Sequence, residues 1–139
     1  MKHIFVVISF LTIACTGFAQ KSTTTLAAEK SFHEKFPNAK EAKWEKEGKD
    51  ELEVSFVQDG KKGSANFSPA GEWLETEMAI PASAAPKAVI DAFNKNFPGA
   101  TISELYQISS KKEKNYFEVE YLLKGKKKEA KISADGKII

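Results

Sequence analysis

One histidine follows residue 20 in this chain of 139 residues, and it stands four places after a glutamate: Glu29 and His33. On a helix that spacing turns both side chains to one face, as two ligands of a zinc ion would be turned. A third ligand would have to come from elsewhere, and the corresponding positions of the second half of the chain are Ile90 and Asn94. An exposed polar helix position accounts for His33 and Asn94 alike, so no metal site is expected. Glu53 and Glu118 stand at matching places in two alternating segments and invite acid–base chemistry. Such work needs one carboxyl with a raised pKa, which burial supplies. Their apolar neighbours point inward, so both glutamates are expected on the solvent side, ionised. No catalytic residue and no cofactor is expected, and the chain is read as not an enzyme.

Charge narrows the partners. All 21 basic residues are lysine, against 19 acids, for a formal charge of +2. Lys111, Lys112 and Lys114 form one cluster, and Lys124, Lys126, Lys127 and Lys128 surround a second turn. Lysine lacks the bidentate fork that arginine offers to phosphate, and this balance excludes a strongly basic nucleic-acid arm. The lysines are read first as charged tips that keep strand edges from pairing with other chains. Large aromatics remain as binding candidates: Trp44, Trp73, Tyr106 and Tyr116. Tyr116 follows the outward phase of its segment and is the aromatic assigned most readily to an exposed surface.

These residues must be positioned by a plan that occurs twice. Phe32–Ala39 and Phe93–Ala100 both read F-x-x-x-F-P-x-A, and residues 51–71 align with 116–136 through Glu53/Glu118, Val54/Val119, Gly60/Gly125, Ser68/Ser133 and Gly71/Gly136. The offset grows between these blocks, where residues 109–114 exceed Glu47–Lys49, which marks a hairpin turn. Residues 23–36 carry threonines able to cap and set Ala28, Phe32 and Phe36 on one helical face, ending before Pro37. Pro86 opens the second helix, with Val89, Phe93 and Phe97 as its stripe. The period then changes to two, with Leu52, Val54 and Phe56 in one half and Phe117, Val119 and Tyr121 in the other. Asp59-Gly60 and Lys124-Gly125 read as hairpin turns. With 42–44 and 102–108 as first strands, 65–67 and 130–132 as third strands, and Trp73-Leu74 and Ile138-Ile139 as closing strands, the fold is expected to be α+β. It is read as two tandem α-β-β-β-β repeats, each helix packed on one face of an antiparallel sheet, over 20–78 and 79–139 with a linker at about 76–85.

Residues 1–19 read as a secretory signal peptide. Lys2 is followed by an apolar run from Ile4 to Ala14, and Gly17 and Ala19 stand at the small-residue positions before a cut after Ala19. A lipoprotein signal with Cys15 as the acylated residue is the alternative. Cleavage after Ala19 leaves no cysteine in the mature chain. The protein is therefore expected in the periplasm or outside the cell, with no transmembrane segment in the mature chain.

The duplicated F-P-x-A, the E-V-x-aromatic strand and the small-residue turn before Trp73-Leu74 resemble the PepSY-like family of β-lactamase-inhibitor-like secreted bacterial proteins, over about residues 26–139. The resemblance implies tandem α-β-β-β-β units with side-by-side sheets, and a binding role in which a sheet surface grips a secreted enzyme. The well-characterised inhibitors carry disulfides that this chain lacks, so only the architecture and a general binding role carry over. The expected function is an exported, non-catalytic, inhibitor-like protein. It would dock a secreted or envelope protein through the uncovered sheet face, with Glu53, Tyr116, Glu118, Glu120 and Trp73 at the contact. The alternative is an envelope module that holds a small ligand or anionic surface on its lysine-rich hairpins.

Overall fold

A computed structural model describes residues 24–139. The expected signal peptide, its expected cut after Ala19 and Cys15 lie outside these residues. Helix α1 (Leu26–Lys35) is followed by strands β1 (Lys40–Glu47), β2 (Glu51–Gln58), β3 (Lys61–Phe67) and β4 (Trp73–Ala79). A short 3-10 turn at Ala82–Ala84 leads to helix α2 (Lys87–Asn96) and strands β5 (Thr101–Ser110), β6 (Tyr116–Leu123) and β7 (Lys126–Ser133). The seven strands form one antiparallel sheet in chain order. None of the described helices is long and apolar enough to cross a membrane.

Both helices stop where the chain predicts. The Thr25 hydroxyl accepts from the Ala28 amide at 3.1 Å, capping α1, and donates to the Pro69 carbonyl at 2.8 Å, which ties the helix start to the β3–β4 turn. Phe36 and Phe97 end the helices with matching backbone angles, ahead of Pro37 and Pro98. Asp59-Gly60 and Lys124-Gly125 both take positive φ at two successive residues, the signature of the tight hairpin turn whose twist suits its strands.

Each helix seals its own core on the same side of the sheet. Phe32, fully buried, meets Phe56 at 5.3 Å between centroids, Phe36 at 5.5 Å and Trp44 at 5.7 Å, and Val54 and Phe67 close the cluster. Under α2, Phe93 meets Tyr121 at 5.2 Å and Phe97 at 5.4 Å, with Val89, Val119 and Ile132 fully buried beside them. A polar seam separates the two cores, where Thr76 pairs with Ser109 and Met78 with Gln107 across β4 and β5.

Three expectations change. The second half closes with a single bridge, Ile132 to Ile138, in place of a strand at Ile138-Ile139. Only one residue pair meets there, which cannot build a ladder. The link between the halves is shorter than 76–85, because β4 runs to Ala79 and pairs on both sides. Glu75-Thr76-Glu77 lacks the apolar alternation that marks a strand, yet Thr76 is buried on the helix side. Finally, the β4–β5 pairing makes one continuous sheet of what the sequence divides in two.

Candidate functional site

Register decides what each face of the sheet carries, because alternate residues of a strand point to opposite sides. The helix side holds Leu52, Val54, Ala65, Leu105, Val119 and Ala130. Among the described residues no helix lies over the other side. Across it, β1 sends Lys40, Lys43, Glu45 and Glu47 and β2 sends Glu51 and Glu53, while β3 sends Lys62, Ser64 and Asn66. Strand β4 adds Glu75 and Glu77, and β5 adds Glu104, Tyr106 and Ile108. Strand β6 adds Tyr116, Glu118 and Glu120, and β7 adds Lys127, Glu129 and Lys131.

This open face therefore collects ten glutamates (45, 47, 51, 53, 75, 77, 104, 118, 120, 129) out of the 19 acids, but five lysines (40, 43, 62, 127, 131) out of 21. Four glutamate pairs stand directly opposite one another: Glu45 and Glu53, Glu47 and Glu51, Glu104 and Glu120, and Glu120 and Glu129. Like charges in that position destabilise a sheet. Against them, Glu118 faces Lys131, whose ammonium lies 3.7 Å from its carboxylate.

The carboxyl groups respond as crowded, half-dehydrated acids do. Partial burial pushes Glu77 up to about 7, and Glu75, Glu53 and Glu47 add to the rise while Lys131 opposes it. Glu118 is pushed up to about 8, first by burial and then by Glu129 and Glu77. Glu53 and Glu75 are also raised, mainly by burial, although hydrogen bonds from Ser64 and Ser110 pull each of them back. Burial and Glu104 raise Glu120. The expectation of two ordinary carboxyls at 53 and 118 is thus corrected: burial raises both, Glu118 to about 8. Both lie on the open side, as the alternation says, but their neighbours on that side shield them from water.

Tyr116 is corrected in the same way. It lies on the open face, as its phase indicates, yet only 3% of it is exposed. Lys131 reaches over it, with its ammonium 5.0 Å from the ring centroid and 3.3 Å from the hydroxyl. Ile108, flanked in register by Glu77 and Tyr116, is fully buried although no helix of the described residues covers it. Tyr106 is half-buried and donates its hydroxyl proton to Glu104. Ile108 and Tyr116 thus lie beneath the polar side chains of the open face, Lys131 among them.

Trp73 does not join this group. A register shift between Asn66 and Phe67 sets Trp73 opposite Phe67, so it packs on the α1 core. Its indole N–H donates to Thr76 at 2.8 Å, and Lys35 caps the ring at 3.9 Å. Trp44 likewise belongs to that core. The structure places Tyr116, Glu118 and Glu120 side by side on β6 and Glu53 on the same face four strands away, and leaves Trp73 on the other side. Glu29 and His33 remain on α1, and among the described residues no three of His, Cys, Asp and Glu converge as a metal site. Lys111, Lys112 and Lys114 lie in the β5–β6 loop. The second lysine cluster is divided by register between the two faces, with Lys127 on the open side.

The face as a whole escaped the reading by single residues. Its signal is a repeated E-x-E: Glu45-Lys46-Glu47, Glu51-Leu52-Glu53, Glu75-Thr76-Glu77 and Glu118-Val119-Glu120. In strands, that spacing sends both acids to one side.

Residues 50–139, from just before β2 to the last residue, match the family model described as "Putative beta-lactamase-inhibitor-like, PepSY-like". The match begins later than the sequence motifs, which start near residue 26. The fold is similar to that of a BLIP-like protein from Bacteroides fragilis, with 23% identity and a TM-score of 0.74 over 86% of each chain. It is also similar to a protein from Bacteroides eggerthii described as a putative periplasmic protein, with 16% identity and a TM-score of 0.77 over 84% of this chain and 86% of that one. No curated protein matches the chain.

Proposed function

The chain belongs to the PepSY-like, β-lactamase-inhibitor-like family, and on that premise we propose that it is an exported, non-catalytic binding protein. It docks a secreted or envelope protein through the open sheet face, with Glu53, Tyr116, Glu118 and Glu120 at or beneath the contact, and acts by occupying its partner. The observation that carries this reading is the asymmetry of the sheet. One side is sealed by α1 and α2, and on the other no helix of the described residues lies over the rows of glutamates, among which Glu77 and Glu118 have raised carboxyls.

Two further parts of the reading have separate support. The tandem origin of residues 20–78 and 79–139 is supported by one turn that occurs in both halves. Ser68 and Ser133 each accept, through the side-chain oxygen, from the amide four residues on at 3.0 Å, and Gly71 and Gly136 each take positive φ against the first turn of their helix. Export is supported by the leader sequence and by the likeness to the B. eggerthii protein described as a putative periplasmic protein.

The test is affinity capture from envelope extract with the tagged mature chain and with Ser55→Trp and Ser64→Trp, which stand side by side on the open face. A partner captured by the wild type and lost by these folded variants supports the reading. A partner retained equally by all three overturns it.

A further inference from the structure

Resting on the reading that the open face docks a protein, we propose that the segment it accepts is cationic: an extended, lysine- or arginine-bearing stretch of the partner that crosses the strands and neutralises their opposed glutamates.

The charge arithmetic leaves the face unable to neutralise itself. Ten glutamates meet five lysines, while the chain as a whole is positive. The excess acid has been gathered to one surface, and the excess lysine lies elsewhere. Four of the glutamate contacts are direct cross-strand oppositions. Each works against folding, and a positive side chain laid between the two acids removes that penalty. Glu77 and Glu118 stand outside those four pairs; burial first, and neighbouring acids after it, raise them, so near neutral pH they hold protons that a bound cation would displace.

Geometry selects the kind of cation. A divalent metal needs several oxygens around one point, and among the described residues no such cluster is present. The acids are instead spread in rows over all seven strands. Six inter-strand steps of about 4.8 Å make a surface about 29 Å wide, which an extended chain rising about 3.3 Å per residue crosses in about nine residues. A nucleic acid would meet repulsion from the same glutamates.

Binding would weaken with acid. Around Glu77 stand Glu75 on its own strand, Glu53 and Glu47 on β2 and β1, and Lys131 on β7. Around Glu118 stand Glu129 and Lys131 on β7 and Glu77 on β4. Lys131 alone in these sets opposes protonation, so both acids gain protons as pH falls from about 8 towards 5 and lose their attraction for a cation.

The test measures fluorescence anisotropy of a labelled nine-residue peptide of alternating lysine and alanine, with a glutamate–alanine peptide of equal length as control. The expected result is binding of the lysine peptide alone, at least tenfold weaker at about pH 5 than at about pH 8, and about tenfold weaker at pH 8 for Glu77→Gln/Glu118→Gln. That variant relieves like-charge crowding and keeps its fold, which circular dichroism checks. Equal binding of the two peptides, or undiminished binding by the double variant, overturns the proposal. Self-association that is abolished by replacing Lys111, Lys112 and Lys114, with no peptide binding, makes the occupant a second copy and also overturns it. Partner capture separates the two readings. If Ser55→Trp and Ser64→Trp abolish capture while Glu77→Gln/Glu118→Gln does not, docking stands and the cationic segment falls. If none of them affects capture, docking itself falls.

Discussion

The two faces of this sheet solve opposite problems with the same strands. On the helix side, β2 and β6 spend Leu52, Val54 and Phe56 and Phe117, Val119 and Tyr121 on two cores, each closed by one amphipathic helix. On the other side the intervening residues are Glu51, Glu53 and Glu120, set against acids of the adjoining strands, and Glu118, set between Tyr106 and Lys131. The first face gains free energy from burial, about 25 cal/mol for each Å² of apolar surface. The second gives some back through repulsion and dehydrated carboxyls. A surface kept at a cost to the fold is one whose use lies outside the fold.

Breaking the covered face gives the largest effect. Phe32→Ala removes the hub of the α1 core and Phe93→Ala its counterpart under α2, and each is expected to cost about 3–5 kcal/mol in denaturant unfolding. Glycine substitutions come next. Gly71→Ala would bring a Cβ within 2.6 Å of the Ala27 carbonyl oxygen, and Gly136→Ala within 2.7 Å of that of Ala88, both at positive φ. Each should destabilise by about 1–3 kcal/mol, and by similar amounts, because each turn abuts its helix in the same way.

On the open face the sign reverses. Glu77 is raised to about 7 from 4.5, so the folded state prefers its protonated form. Its contribution to stability is full below about pH 4.5 and is lost as pH rises through 7, and Glu118, raised to about 8, acts in the same direction. The melting temperature should therefore rise as pH is lowered from about 8 to about 5. Glu77→Gln should stabilise the protein at about pH 8 by about 1–2 kcal/mol after allowance for screening, and by almost nothing at pH 4. The smallest effect belongs to Lys87→Ala. It breaks the exposed pair with Asp91 at 2.6 Å, for less than about 0.5 kcal/mol, and so marks the level below which an open-face effect carries no weight.

The covered face was legible in the sequence because helix and strand periods announce themselves through apolar residues. The stripe Ala28, Phe32, Phe36 and the alternation Leu52, Val54, Phe56 appear in the structure as read, and all six residues are buried. The hairpins at Asp59-Gly60 and Lys124-Gly125 were equally plain, since glycine marks the backbone such turns require. Strand β4 was harder to see because its helix-side residues near the seam are Thr76 and Met78. Trp73 changed sides through a register shift that no local pattern encodes. Burial of Tyr116 and the raised carboxyls depend on cross-strand neighbours such as Lys131 and Glu129, which only the register brings together. Apart from Trp73, facing was thus a local property, readable from alternation, whereas environment was a property of the whole sheet.

The most direct measurement is a carbon-13 NMR titration of the glutamate side-chain carboxyls, with Glu77 and Glu118 assigned through their glutamine variants. The account predicts midpoints near 7 for Glu77 and near 8 for Glu118 in the free protein, both falling towards 4.5 when the lysine–alanine peptide is added. Midpoints at the ordinary 4.5 for both groups in the free protein, unmoved by the peptide, would contradict it.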